Sequence, residues 1–448
     1  MAVLFLVVLP AFALVHQTLR FSEPADADVV EIVPETLRLT FTEPLRMEFT
    51  EVEVEGPAGR LVLGELRTAE EAAELLLVPV EAGWHAGEFV VRWRTVGADG
   101  HPSEGSFSIT VPEGAEGLPA DVDTVPAPEE THRLTPESPA YVAVRWATFV
   151  ALIGMIGAVA FRGAVLPLVG RRRELREGTE LRALVTDAAR GAASLGLAAA
   201  VLFLAAGLAR LWAQTAALFS VGDTLSPARW ASTLEVQPWG AAWWLQAAGG
   251  AVAVVGFAVA RRRGSRAGWV LAGLAALAAS VTLPVSGHAV AVSDLAGLAV
   301  TADALHVIAA GGWVGGLALV LLAGVPAAAR LGEGDRGPAV AALVRGFSPV
   351  ALGFAAIVVG SGVTSAWIQL GAFPDLWTTP YGRTLLLKLA LVAGVLAMGA
   401  YNKVRVQPGL GDEAGSGRIR RSGGVELAFA ITVLVVTAVL VALPPPTH

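Results

Sequence analysis

The stretch VTLPVSGHAVAVSDLAGLAVTADALHVIAAGGWVGGL, Val281 to Leu317, sets two histidines, His288 and His306, in or beside apolar runs of membrane-spanning character, with Asp303 one helical turn before the second. An ionisable side chain at bilayer depth is costly, by about 2.5 kcal/mol or more for a central Asp, so such residues mark functional sites by default. Asp303 and His306 stand at i and i+3, so on a helix they share a face and the carboxylate is able to orient the imidazole. A competing reading holds for His288. It follows a Pro-Val-Ser-Gly turn, and at the water interface a histidine needs no special role. The run Gly311, Gly312, Gly315 and Gly316 lets a neighbouring helix come close, and packing alone would account for it.

Outward from that stretch, composition bounds the class. With 448 residues, 54% hydrophobic and 16% charged, and with positive mean hydropathy, the chain is too apolar for a soluble enzyme and too long for one domain. Its second part reads as an all-α bundle of eight transmembrane helices near 141–161, 187–211, 239–260, 267–284, 298–325, 344–370, 382–402 and 424–443. Arginine placement orients them. Alternate loops carry Arg171, Arg172, Arg173 and Arg176; Arg261, Arg262, Arg263 and Arg266; Arg330 and Arg336; and Lys403, Arg405, Arg418, Arg420 and Arg421, whereas 285–297 and 371–381 carry none. The positive-inside rule then puts the N-terminal part, His288, His306 and the C-terminal PPPTH outside a cytoplasmic membrane. Arg145, Arg210, Gln214, Gln246, Arg383 and Lys388 fall toward the outer half, with Arg383 and Lys388 read as snorkelling to headgroups. Trp230, Trp239, Trp243, Trp244 and Trp377 read as interfacial anchors.

Ahead of the bundle the pattern changes. Residues 1–15, MAVLFLVVLPAFALV, read as a signal-peptide core with cleavage after Val15; an uncleaved anchor is the alternative. From 16 to 112, TLRLTF (36–41), EVEVEG (51–56), RLVLGEL (60–66), ELLLVPV (74–80), EFVVRWRTV (88–96) and GSFSITV (105–111) alternate with period two, as strands of a small all-β, immunoglobulin-like sandwich would. Residues 113–139, rich in Glu, Pro and Gly, read as a linker, and 140–443 as the membrane domain. His85, in AGWHAGE, reads as a solvated loop residue, and His132 and His448 have weaker claims still.

The chain has no cysteine, which excludes disulfides and thiolate chemistry. The net charge of −7 comes mostly from acidic residues before Pro139, so nucleic acid is not an expected partner. No phosphate-binding loop, nucleotide motif or Ser-His-Asp order occurs, so an ATP-driven pump is not supported; the expectation is a protein that is not an enzyme and takes no nucleotide.

HQTLRFSEPADA, FTEPLRMEFTEVEVEGPAG and VGADGHPSEGSFSITV resemble the copper-resistance family CopC, and SGHA, ALHVIAAGGWVGGL and PYGRTLLLKLALVAGVLAMGAYNK resemble its membrane partner CopD. The chain therefore resembles a natural fusion of the two. The resemblance implies copper held by the free N-terminal amine and imidazole of His16 with Asp99 and His101, a set of three nitrogens and one oxygen suited to Cu(II). Taken alone, Asp99-Gly-His101 reads as an Asp-Gly turn. Met47 is the sandwich's single thioether, so a Cu(II) site without a methionine-rich Cu(I) site is expected. The resemblance further implies copper transport, with import the expected direction, and His288 and His306 a candidate copper site supported by Asp303. Two other classes stay open: a membrane redox protein with His288 and His306 as haem ligands, and an extracellular oxidase built on a histidine brace.

Overall fold

The computed structural model describes residues 18–42, 44–69, 72–96, 102–118, 133–171, 179–236, 238–287, 295–410, 413–443 and 445–446. His16, Asp99, His101, His132, His288 and His448 lie outside the described residues. The described chain forms two compact units: residues up to Leu134 together with Gln214–Gly240, and Thr135–Ala213 with Ala241–Ala289 and Leu295 onward.

The first unit contains strands β1 (Leu19–Glu23), β2 (Asp28–Val29), β3 (Thr36–Phe41), β4 (Glu51–Gly56), β5 (Gly59–Arg60), β6 (Val62–Leu63), β7 (Arg67–Ala69), β8 (Ala72–Ala82), β9 (Gly87–Val96) and β10 (Pro102–Val111). One sheet has the order β1-β3-β8-β6, with β7 also on β8; the other has β2-β10-β9-β4-β5. The period-two pattern explains why they face each other. Leu37, Leu39 and Phe41 of β3 and Leu76 and Val78 of β8 meet Val52 and Val54 of β4, Phe89, Val91 and Trp93 of β9, and Phe107, Ile109 and Val111 of β10 in one buried core. Phe41 and Trp93 lock the sheets edge to face at 5.1 Å.

One expected strand is broken. Within 60–66, Arg60 pairs with β4 in one sheet while Val62 and Leu63 pair with β8 in the other, so the chain changes sheets at Leu61. Residues 113–118 stay with the sandwich rather than leaving it: Glu116 N donates to Glu31 O at 2.8 Å and Val33 N to Glu116 O at 3.0 Å.

The same unit includes the last turn of the helix ending at Leu218 and a short helix, Pro227–Glu235. Phe49 and Val96 pack with Leu218, Phe219 and Val236. Arg94 donates to the carbonyls of Ala217 and Leu218, which as the last acceptors of a helix have no partner within it. Burial, with the neighbouring Arg133 charge adding to it, draws the Arg94 pKa below the ordinary arginine value.

The second unit is helical. Eight helices are long and apolar enough to cross a membrane: Pro139–Val169, Thr179–Leu218, Trp239–Arg263, Arg266–Val285, Ala296–Ala328, Glu333–Gln369, Pro380–Gly409 and Gly417–Leu440, here the first to eighth spans. The 40 residues of the second would measure about 60 Å, twice a hydrocarbon core of about 30 Å, so its polar first turns extend beyond it. There Asp187 meets Arg190 at 3.3 Å and Arg330 at 3.7 Å. The starts of two spans are capped: Ser138 Oγ accepts from Tyr141 N, Thr379 Oγ1 accepts from Gly382 N, and each cap precedes a proline. The first and fifth spans cross at backbone contact, since a Cβ on Gly157 would stand 2.4 Å from the Gly315 carbonyl carbon.

Two expected tryptophan anchors are instead interior. Trp239 and Trp243 are buried, and Trp243 Nε1 donates to Gly207 O at 2.7 Å, whereas Trp244 and Trp377 are exposed.

Candidate functional site

The fifth span carries Asp303 and His306 a turn apart, and the antiparallel sixth span sets two serines, also a turn apart, against them. Ser361 Oγ lies 3.1 Å from His306 Nδ1, and Ser365 Oγ donates to Asp303 Oδ1 at 2.6 Å. Ser361 Oγ also stands 2.7 Å from Ile357 O, and when its proton goes there it accepts from His306 Nδ1. With that arrangement Nδ1 carries the imidazole proton and Nε2 keeps a lone pair, the form in which histidine ligates metals; the ring also makes a hydrogen bond with the Val358 backbone. Gly362 makes room for the ring: a Cβ there would stand 3.3 Å from His306 Cε1.

The seventh span completes the cluster. Tyr381, buried in its first turn, donates to Gln369 Oε1 at the end of the sixth. Lys388, expected to snorkel, is half-buried, and its charge acts on both Asp303 and His306. Arg383 is exposed, with Nε donating to Thr379 O at 3.4 Å. Sequence reasoning missed Ser361, Ser365, Gln369 and Tyr381; the available signal was the i, i+4 serine pair in SGVTSAW.

The end of the helix that precedes His288 in the chain is also organised. Arg210 donates to Gln246 Oε1 at 3.0 Å and to Ser286 Oγ, and Ser286 donates to Thr282 O at 2.7 Å. Three spans are thus tied together at the end of the helix that leads to His288. Arg145 similarly donates to Ala438 O at 3.1 Å, tying the first span to the eighth.

In the sandwich, strand directions bring three described positions to one end. Thr36 of β3 opposes Pro79 near the end of β8, and β9 starts a few residues after β8, so β3 and β9 begin at one end and finish at the other. At the finishing end Leu19 opposes Phe41, and Val96 opposes Pro102. Thr18, hydrogen-bonded to Thr42 through N–H to Oγ1 at 3.0 Å, holds the start of β1 there.

His85 is excluded as a ligand because both ring nitrogens are used: Nδ1 donates to Gly83 O at 2.9 Å and Nε2 accepts from Ala58 N at 3.0 Å. Met47 packs against the sandwich core. Among the described residues, no three His, Cys, Asp or Glu side chains gather in a metal-holding group.

The chain matches the family model of the CopC domain over residues 19–112, that of the N-terminal domain of copper resistance protein D-like proteins over 135–298, and that of copper resistance protein D over 341–440. Copper transport protein CutJ of Bacillus subtilis (strain 168) is 26% identical over 461 residues, taking in 99% of this chain and 77% of that protein. Copper resistance protein C of Escherichia coli is 31% identical over 107 residues, 22% of this chain and 83% of that protein. Among solved structures, CopC from Methylosinus trichosporium OB3b and PcoC, a methionine-rich copper resistance protein from Escherichia coli, are each 24% identical with a TM-score of 0.20. They cover 22% and 21% of this chain and 94% and 98% of their own.

Proposed function

Since the chain belongs to the copper-resistance family, joining a CopC domain to a CopD membrane part, we propose that it captures Cu(II) on the outer face of the cytoplasmic membrane and passes copper inward. The observation that carries the transport reading is the His306 imidazole among membrane spans, held by Ser361 at Nδ1 with Asp303 a turn away on the same helix. A neutral imidazole suits copper in either oxidation state, whereas carboxylates alone would not select it. His288 is the second ligand, and Asp303 supports the pair from within the fifth span. Two or three ligands fit a site that must release its cargo, where a closed four-ligand cage would retain it.

Capture belongs to the sandwich. The mature chain begins at His16, and its amine and ring, with Asp99 and His101, hold Cu(II). The pairings that bring Leu19, Val96 and Pro102 to one end support this set, because His16 precedes Leu19 by three residues and Asp99 and His101 lie between Val96 and Pro102. The loop arginines support outward placement of both termini.

Copper accumulation in cells tests the reading. His306→Ala is expected to abolish uptake while Cu(II) capture by the sandwich persists, His288→Ala to weaken it, and Asp303→Asn to fall between wild type and His306→Ala. Wild-type accumulation in both histidine variants would overturn the membrane site. One residue added before His16 turns the amine into an amide and should weaken Cu(II) binding by about tenfold or more; undiminished affinity would remove the brace.

A further inference from the structure

A second polar pair lies inside the bundle, and the copper reading makes no use of it. Asn402, late in the seventh span, donates from Nδ2 to Glu426 Oε2 of the eighth at 2.9 Å, and the two residues are 9% and 4% exposed. The other amide atom, Asn402 Oδ1, is buried with no hydrogen-bond partner among the described residues. Gly399 admits the carboxyl: a Cβ there would stand 3.4 Å from Glu426 Oε1.

The donor and acceptor inventory points to what is missing. A primary amide offers one acceptor oxygen and a two-proton donor, whereas an ionised carboxylate only accepts. It takes up the Nδ2 donor and leaves Oδ1 unanswered, which is costly for a buried oxygen. A protonated carboxyl has both an acceptor oxygen and an O–H donor, the complement of an amide. An ionised carboxylate at such burial would also need a cation. Among the described residues none is paired with Glu426, and Asn402 is the polar side chain facing it. Lys403 and Arg405 on the seventh span, and Arg418, Arg420 and Arg421 on its own, are exposed. The first, fifth and sixth spans, which also pack on the eighth, bring no charge to bear on it.

We infer that Glu426 and Asn402 form a proton-binding site that loads and unloads as copper passes, a role that rests on the transport reading. The step is Glu426 carboxylate plus one proton giving the carboxylic acid, with an O–H bond made or broken and no other reactant. Its position fits a coupled partner of the copper cluster rather than a part of it. Lys388 and Asn402 are separated by fourteen residues of one helix, about 20 Å along its axis.

Infrared difference spectra of the full-length protein across pH, without copper, test the site itself. A protonated-carboxyl band that titrates in wild type should be absent in Glu426→Gln and displaced in Asn402→Leu, which keeps the acid and removes its partner. In proteoliposomes with a pH-sensitive dye, added copper should move protons in wild type and not in Glu426→Gln, while the sandwich of that variant still binds Cu(II). A band or a proton movement unchanged by Glu426→Gln would overturn the proposal. So would a sodium-induced spectral change in place of the carboxyl band, which would make the pair a sodium site. If wild type moves no copper, the transport reading fails, and the copper-free spectra still decide the proton site.

Discussion

At the scale of single residues, the candidate membrane site depends on which proton sits where. Ser361 and the Val358 backbone fix the His306 ring, so a change that moves the ring should act like loss of the ring. Gly362→Val would crowd His306 Cε1, already 3.3 Å from a bare Cβ, and overpacking of this kind costs about 1–3 kcal/mol. Copper accumulation in that variant is expected to drop toward the His306→Ala level with expression retained; Gly362→Ala should lose less. In the sandwich, the Arg92 guanidinium holds the Glu55 carboxyl below the usual carboxylate range through a hydrogen bond and its charge. A lowered folded pKa means the pair stabilises above the unfolded value of about 4.3 and is lost as pH falls through the folded one. Glu55→Gln should therefore speed hydrogen exchange in β4 and β9 at neutral pH, slightly because the pair is exposed, and the difference from wild type should vanish in acid. Asp303 and His306 were legible because charge stands out in apolar sequence. Their serine partners were not, since a serine in a helix can satisfy itself on the preceding turn, as Ser361 does on Ile357.

At the scale of elements, the bends of the bundle have sources in the sequence. Wide π turns at Phe161–Val165, Val320–Gly324 and Asn402–Val406 each end two residues before a proline, Pro167, Pro326 and Pro408. Proline lacks an N–H and crowds the carbonyl four residues back, and a widened turn relieves both. Another such turn, Gly311–Gly315, has no proline close behind it and lies instead at the Gly157 crossing. Gly157→Val would place side-chain atoms inside the Gly315 backbone, so assembled protein recovered by size exclusion after detergent extraction should fall severalfold. Gly353→Ala, where a Cβ meets nothing within 4 Å, should leave recovery unchanged. Strands were legible where burial alternates over five or more residues, as in β3, β4, β9 and β10. β1, largely exposed, and the two-residue β2 were not, because neither has a buried face to impose a period.

At the scale of the whole molecule, eight apolar spans after a small sandwich were readable from hydropathy and period alone. The loop arginines carry the orientation, and it has a direct test: a reporter fused after His448 that works only outside the cytoplasm should be active, and activity only in a cytoplasmic reporter would reverse the topology. What the sequence by itself determined was local: where the chain turns apolar, where it alternates, and which charges sit in apolar surroundings. Only the tertiary structure decided that Ser361 and Ser365 oppose His306 and Asp303, that Asn402 meets Glu426, that residues 60–63 change sheets, and that the Gln214–Gly240 segment packs with the sandwich. The reason is physical. Hydropathy and periodicity are set within a few residues of chain, whereas helices in lipid choose partners by close backbone approach and by satisfying buried polar groups, and those terms exist only once distant segments are side by side.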